Sequence, residues 1–244
     1  MTPEELVSRA CPKIGDLGWA YYFAPGTLAK GESLGLDAFH FYFLGRGGVL
    51  GDVEPEVVVS AFGYFNPAVV AQMWNEGKAI MAPREAARAY AACCADLGRA
   101  RLGGLADLAG FCAAAETVAE AADPVGLSLF AGFRAEPLVD DLPGRALQLL
   151  ALLREFRGSA HLLAVRASGL DAKTAHFLRR PNDVGMFGWS EDDPPLLGGD
   201  QVAALARADA LTDSLVRDAY GTLDEAGGRA LLAGLDGIEV ALAA

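Results

Sequence analysis

Apolar residues recur at helical spacing along most of the chain, and short polar or Gly/Pro clusters interrupt them. The opening Thr2-Pro3-Glu4-Glu5 combines an N-cap, a proline at the first helical position and acids near the positive end of the helix dipole. It predicts a helix that ends near Gly15–Gly18. Trp19–Phe23 and a break at Pro25-Gly26 come next, then a short helix around Thr27–Leu34 capped by Gly35. Asp37 can cap a further helix that carries Phe39–Leu44 and stops at Gly45–Gly48. The pattern then changes. Val49–Val53 and Val57–Phe65 are β-prone, and the turn-like Asp52-Val53-Glu54-Pro55 separates them, which predicts a hairpin. Asn66-Pro67 starts a new helix. Helix, turn, helix, hairpin, helix is the order of a winged helix-turn-helix.

Pro83–Arg101 and Leu105–Ala122 read as two more helices, and Asp123-Pro124 opens a short one through Phe133. The Pro- and Asp-rich stretch Glu136–Gly144 reads as a linker. Helices follow at Arg145–Phe156, Ser159–Ser168 and Asp171–Arg180. Pro181–Gly199, rich in Pro, Gly and Asp, stands where the hairpin would recur and predicts an irregular wing. Asp200 caps a long helix to about Leu223, and Asp224–Leu235 forms the last.

Within this pattern one motif occurs twice. Residues 35–46 read GLDAFHFYFLGR and residues 169–180 read GLDAKTAHFLRR, with seven of twelve positions identical at a constant offset of 134. A long-period repeat means two copies of one supersecondary unit packed together. The expected fold is therefore mainly α with small β wings: two tandem winged-helix units forming an internal pseudo-dimer. Copy one is residues 1–135 and copy two residues 136–244, and the chain is a monomer or a homodimer.

Composition narrows the function. A net charge of −12 disfavours a large nucleic-acid footprint, because phosphate binding relies on Lys and Arg. Anionic membranes are disfavoured for the same reason. The uncharged run Val57–Trp74 is interrupted by Gly63, Asn66 and Pro67, so no membrane span is expected. Cys11, Cys93, Cys94 and Cys112 form no C-x-x-C pair and lie far in sequence from the three histidines. They read as free thiols of a cytoplasmic protein, with no metal site.

The arrangement resembles the winged-helix regulators of the MarR-like class. More closely, the blocks Gly18–Pro67 and Leu153–Asp193 look like an actinobacterial family of helix-turn-helix proteins. The resemblance implies a duplicated winged-helix fold and carries over no catalytic residue. Regulators of that class bind effectors between their helical and winged parts, which makes a pocket more plausible.

The second helix of a helix-turn-helix enters the major groove and needs polar side chains to read base edges. In copy one it would present Phe39, His40, Phe41, Tyr42 and Phe43, a face suited to protein or an aromatic ligand. In copy two, Lys173, Thr174, Arg179 and Arg180 could touch phosphate. GRGGVLG (Gly45–Gly51) is not G-x-G-x-x-G and precedes a strand-like segment, so it reads as a turn into the wing. Aromatics crowd copy one, which suggests that it lines something. The candidate ligand-binding residues are Trp19, Tyr22, His40, Tyr64, Trp74, His161 and His176. The leading function is binding of a small aromatic or apolar molecule in a regulatory, sequestering or natural-product role. One alternative is a cofactor-free enzyme using His, Tyr and Arg side chains of the pocket. The other is a DNA-binding regulator. The sequence names no cofactor and no catalytic residue.

Overall fold

The computed structural model describes residues 1–243 and contains no strand among them. Twelve α-helices run in chain order: α1 Pro3–Leu17, α2 Pro25–Ser33, α3 Ala38–Gly47, α4 Pro55–Phe62, α5 Pro67–Lys78, α6 Pro83–Leu102, α7 Leu108–Ala121, α8 Ser128–Arg134, α9 Leu142–Ala167, α10 Ala172–Arg179, α11 Gly199–Tyr220 and α12 Glu225–Ala243. Proline in the first two positions opens α1, α2, α4, α5, α6 and α9, where its fixed φ and missing N–H cost nothing.

The repeated motif is a single local device used twice. α2 and α9 each end on a glycine with positive φ, Gly35 at +79° and Gly169 at +83°. The next amide reaches back five residues: Leu36 N–H donates to the Gly31 carbonyl at 2.9 Å, and Leu170 N–H to that of Val165 at 3.1 Å. These are Schellman closures, and the leucine of each is buried. An aspartate then caps the following helix. Asp37 accepts from the Phe39 and His40 amides, and Asp171 from that of Thr174. Each Gly-Leu-Asp therefore joins two helices by a tight turn, α2 to α3 and α9 to α10, which is helix-turn-helix geometry.

The predicted wings are not there. Val49 and Leu50 lie in a short 3-10 turn, Gly48–Leu50, and Val57–Phe62 is helical in α4. Pro55 at the first helical position and Glu56 in the first turn start that helix, and Gly63, at φ +59°, ends it. The helix-propensity cost of valine is only a few tenths of a kcal/mol per residue. Burying Val58 completely and packing Val59 on the core outweighs it. Pro181–Gly199 is irregular as expected, but it is a strap rather than a wing. Asn66 N–H donates to the Phe187 carbonyl at 2.9 Å, the Asn66 side-chain amide to that of Gly188 at 2.9 Å, and the Trp189 indole N–H to that of Tyr64 at 2.8 Å. Phe187 stacks on Phe65 with centroids 4.2 Å apart.

The centre of the molecule is α9, one continuous helix where two were expected. It packs against α1, α6, α7, α8 and α11. The main core extends from α1 to α12. A second, smaller core of Ala164, Val165, Leu170, Ala175, Ala204 and Ala208 lies under the second turn, with Tyr64 packed on it.

The glycines of Gly45–Gly48 do not make a turn into a wing. They lie in close helix contacts: a Cβ on Gly45 would sit 2.7 Å from the buried Tyr90 side chain, and one on Gly48 2.0 Å from the Pro83 carbonyl oxygen. Gly158, inside α9, faces open space. Gly45→Ala should therefore cost about 1–3 kcal/mol through overpacking, whereas Gly158→Ala should stabilise by roughly 0.5–1 kcal/mol through helix propensity. Urea unfolding of the two variants checks both signs.

Candidate functional site

The face that α9 turns towards α3 carries a buried charged cluster. Glu155 is almost fully buried, and both its oxygens are occupied. Oε2 accepts from Arg46 at 2.7 Å, and Oε1 from Arg46 Nε at 3.0 Å, the Tyr22 hydroxyl at 2.7 Å and Arg154 at 3.2 Å. Arg46 also donates to Tyr42 Oη at 3.2 Å, and its guanidinium lies 4.4 Å from the Phe62 ring centroid. Burial alone would raise the Glu155 pKa. The charge and hydrogen bonds of Arg46, then Arg154 and Tyr22, override that and bring it down to about 2. With its acceptors filled, this cluster is a fastening rather than a reaction centre.

A second polar group forms one to two turns further along α9. His161 Nδ1 lies 2.8 Å from Thr212 Oγ1, whose own proton goes to the Ala208 carbonyl at 2.6 Å. Nδ1 therefore carries the imidazole hydrogen and Nε2 keeps a lone pair. Tyr64 stacks nearby at 6.2 Å between centroids. Arg157 pairs with Asp213 and Arg179 with Asp209. Burial, with Arg157 and Arg179 close by, brings the His161 pKa down to about 4 against the pull of Asp209 and Asp213. Tyr64 Oη and Arg157 Nε are buried without a hydrogen-bond partner.

The other candidates are scattered. Trp74 is fully buried, with its indole N–H on the Val53 carbonyl at 3.0 Å. Trp19 is 44% exposed in the turn after α1. His40 bridges Asp37 and Glu76 at 2.8 Å each, tying α3 to α5. Burial would lower its pKa, but the two carboxylates raise it. His176 is buried against Phe187 at 4.0 Å between centroids, with Nε2 unpartnered. Of the seven, Tyr64 and His161 stack on each other, His176 packs on Phe187, and Tyr22 joins the Glu155 cluster.

Neither reading helix offers a polar face. Phe41–Gly47 of α3 are buried at every position. In α10, Thr174–Phe177 are buried; Arg179 and Arg180 are exposed but ion-paired to Asp209 and Asp183, and Lys173 pairs with Asp193.

Two cavities open elsewhere. A cleft of about 570 Å³ lies between α2 and α6, lined by alanines, Pro25, Gly26, Thr27, Leu97, Cys93, Lys30 and Asp96. One of about 280 Å³ lies beside α9 and α11, where Val125, Phe156, Leu163 and Leu215 meet Asp123 and Asp218. None of the seven candidates lines either. Among the described residues no group of His, Cys, Asp or Glu is placed to hold a metal ion, and no helix is long and apolar enough to cross a membrane.

Sequence reasoning missed Arg46 and Glu155. The signal for Arg46 was present: it is one of the seven residues identical in the two motifs. Arg154 and Glu155 interrupt the apolar run Leu149–Phe156, and an acid there requires a buried partner.

Acid should remove stability in two steps. His161 has a folded pKa near 4, below its ordinary 6.5, so its contribution is full above pH 6.5 and is lost as pH falls towards 4. Glu155, at about 2 against 4.5, contributes fully above pH 4.5 and loses its part as pH falls towards 2. Each step amounts to roughly 3 kcal/mol at most. Urea unfolding across pH should show both, with His161→Gln removing only the upper one.

Searches among curated proteins and among solved structures each found no match. A comparison with known families matches residues 8–194 to one described as a helix-turn-helix family. That span includes both Gly-Leu-Asp turns and most of the strap. Since it covers most of the chain, the protein belongs to this helix-turn-helix family.

Proposed function

We propose that this chain binds a small apolar or aromatic molecule on its helix-turn-helix scaffold, in a regulatory, sequestering or natural-product role. The observation that supports this most is the α2–α6 cleft. Its volume of about 570 Å³ is that of a small-molecule site, its walls are mostly apolar and it holds few polar groups. It runs along α2, the first helix of the first turn unit. A bound molecule there would brace α2 against α6 and stabilise the folded chain by mass action.

A second reading, DNA binding as a regulator, is favoured by the family and by Arg179 and Arg180, exposed at the end of α10. Against it stand the acids paired with those cations, the net charge of −12 and a first reading helix sealed in the core.

Native mass spectrometry of protein purified from its own host should reveal a co-purifying small molecule, lost on Ala92→Trp, an exposed-position change that fills the cleft. Retention of that molecule by the variant would move the site elsewhere. Mobility-shift titrations with duplex DNA should show no sequence-dependent complex near 10⁻⁸ M, the ~10 nM range of specific regulators. A salt-sensitive complex abolished by Arg179→Ala and Arg180→Ala would replace the first reading with the second.

A further inference from the structure

We infer that the groove between α9, α11 and the α7–α8 turn docks a basic amphipathic helix of a partner protein. The inference does not rest on the α2–α6 cleft, which is built from other elements. Large aliphatic side chains stand in solvent around the groove: Val125 is 81% exposed, Leu215 48% and Leu163 43%. Leu211 is exposed as well and precedes Leu215 by one turn on the same face of α11. Phe156 and Leu127, both buried, form the floor, and the short side chains of Ala160 and Ala219 leave the space above it open. Aliphatic exposure gathered from three neighbouring elements marks a contact surface.

Size and shape point to a side-chain anchor. At about 280 Å³ the hollow falls just short of small-molecule sites, which span roughly 300–1,000 Å³. It has room for a Leu, Phe or Trp side chain. Its long wall, from Phe156 to Leu163 of α9, runs for about two turns. A helix laid along that wall would place anchors at i, i+4 and i+7. The described residues contain no strand, so no sheet edge is present for an extended peptide to join.

Charge decides the chemistry of the partner. The charged residues of the groove are Asp123 and Asp218, and no lysine or arginine lines it. Asp123 accepts the Val125 amide at 3.0 Å and forms no ion pair among the described residues. Asp218 has only Arg217, which it shares with Glu4. The nearby cations Arg157 and Arg179 are taken up by Asp213 and Asp209. The groove therefore keeps a net negative rim over an apolar floor. Apolar anchors would supply affinity there, and flanking Lys or Arg would set orientation, on-rate and salt dependence. A second copy would bring the same acids against each other, on a chain of net charge −12, so self-docking is opposed.

The test uses the full chain and three fluorescent peptides of equal length: a Leu/Lys helix with its leucines on one face, the same pattern in Leu/Glu, and a scrambled Leu/Lys peptide. Binding is followed by anisotropy at physiological salt. The patterned Leu/Lys helix should bind, and the other two should bind about tenfold or more weakly. Leu163→Gln with Leu215→Gln, at two exposed positions and without change of charge, should remove the complex. Asp123→Asn with Asp218→Asn should weaken it about tenfold and flatten its salt dependence. Ala92→Trp, in the α2–α6 cleft, should leave it unchanged. Binding that survives the Leu→Gln pair would be general attraction to an acidic surface and would overturn the inference. Equal binding of the Leu/Glu helix would overturn it through the charge of the partner. A dimer in sedimentation equilibrium, lost in the Leu→Gln pair, would give the face to a second copy instead. Absence of Leu/Lys binding up to millimolar concentration would refute it outright.

Discussion

The fold depends on one buried ion pair. Arg46 of α3 and Glu155 of α9 come from halves of the chain more than a hundred residues apart and meet at 2.7 Å inside the main core. Charges can stay in such a place only if every hydrogen-bonding site is matched. Tyr22, Tyr42 and Arg154 supply the matches, and the Phe62 ring covers the guanidinium. Removing one partner strands the other at a cost of about 3–5 kcal/mol. The geometry therefore fixes where α3 lies, and it lies inside. The helix that a DNA-binding helix-turn-helix would expose for reading is here a central strut.

That arrangement also explains why aromatic residues crowd the first part of the chain. Tyr21, Tyr22, Phe41, Tyr42, Phe43, Phe62, Phe65 and Tyr90 pack ring to ring, mostly edge-on or tilted, and Tyr22, Tyr42 and Phe62 lie next to the Arg46 guanidinium. Large rings bury apolar area and present a negative face to the cation. In the second motif the equivalent arginine, Arg180, is exposed beside Asp183, and the core beneath is mostly alanine. The two turns share a backbone design but sit in different surroundings.

Much of the local structure was legible in the sequence. The glycine closure at Gly35 and the aspartate cap at Asp37 were correctly placed, and the repeat carries the same residue types to Gly169 and Asp171, because such helix ends need them at fixed offsets. The prolines that open α1, α5 and α6 were equally plain, whereas Pro25, Pro55 and Pro143 read as a break, a turn and a linker. The wings were misread because Val57-Val58-Val59 looks like a strand by residue type, and tertiary burial decided otherwise. Pro55 and Glu56 were the contrary signal. The site was the least legible part. The α2–α6 cleft is lined mostly by alanines, which carry no chemical signature.

Hydrogen exchange resolved to single amides tests most directly whether α3 is a strut rather than a reading head. If it is, the amides in the second half of α3, as far as Gly47, exchange only through global unfolding, with the same free energy as the central turns of α9. The amides of α10, on its small alanine core, exchange at distinctly lower free energy. Local opening of α3 at a free energy well below the global value, as for a surface helix, would contradict this picture.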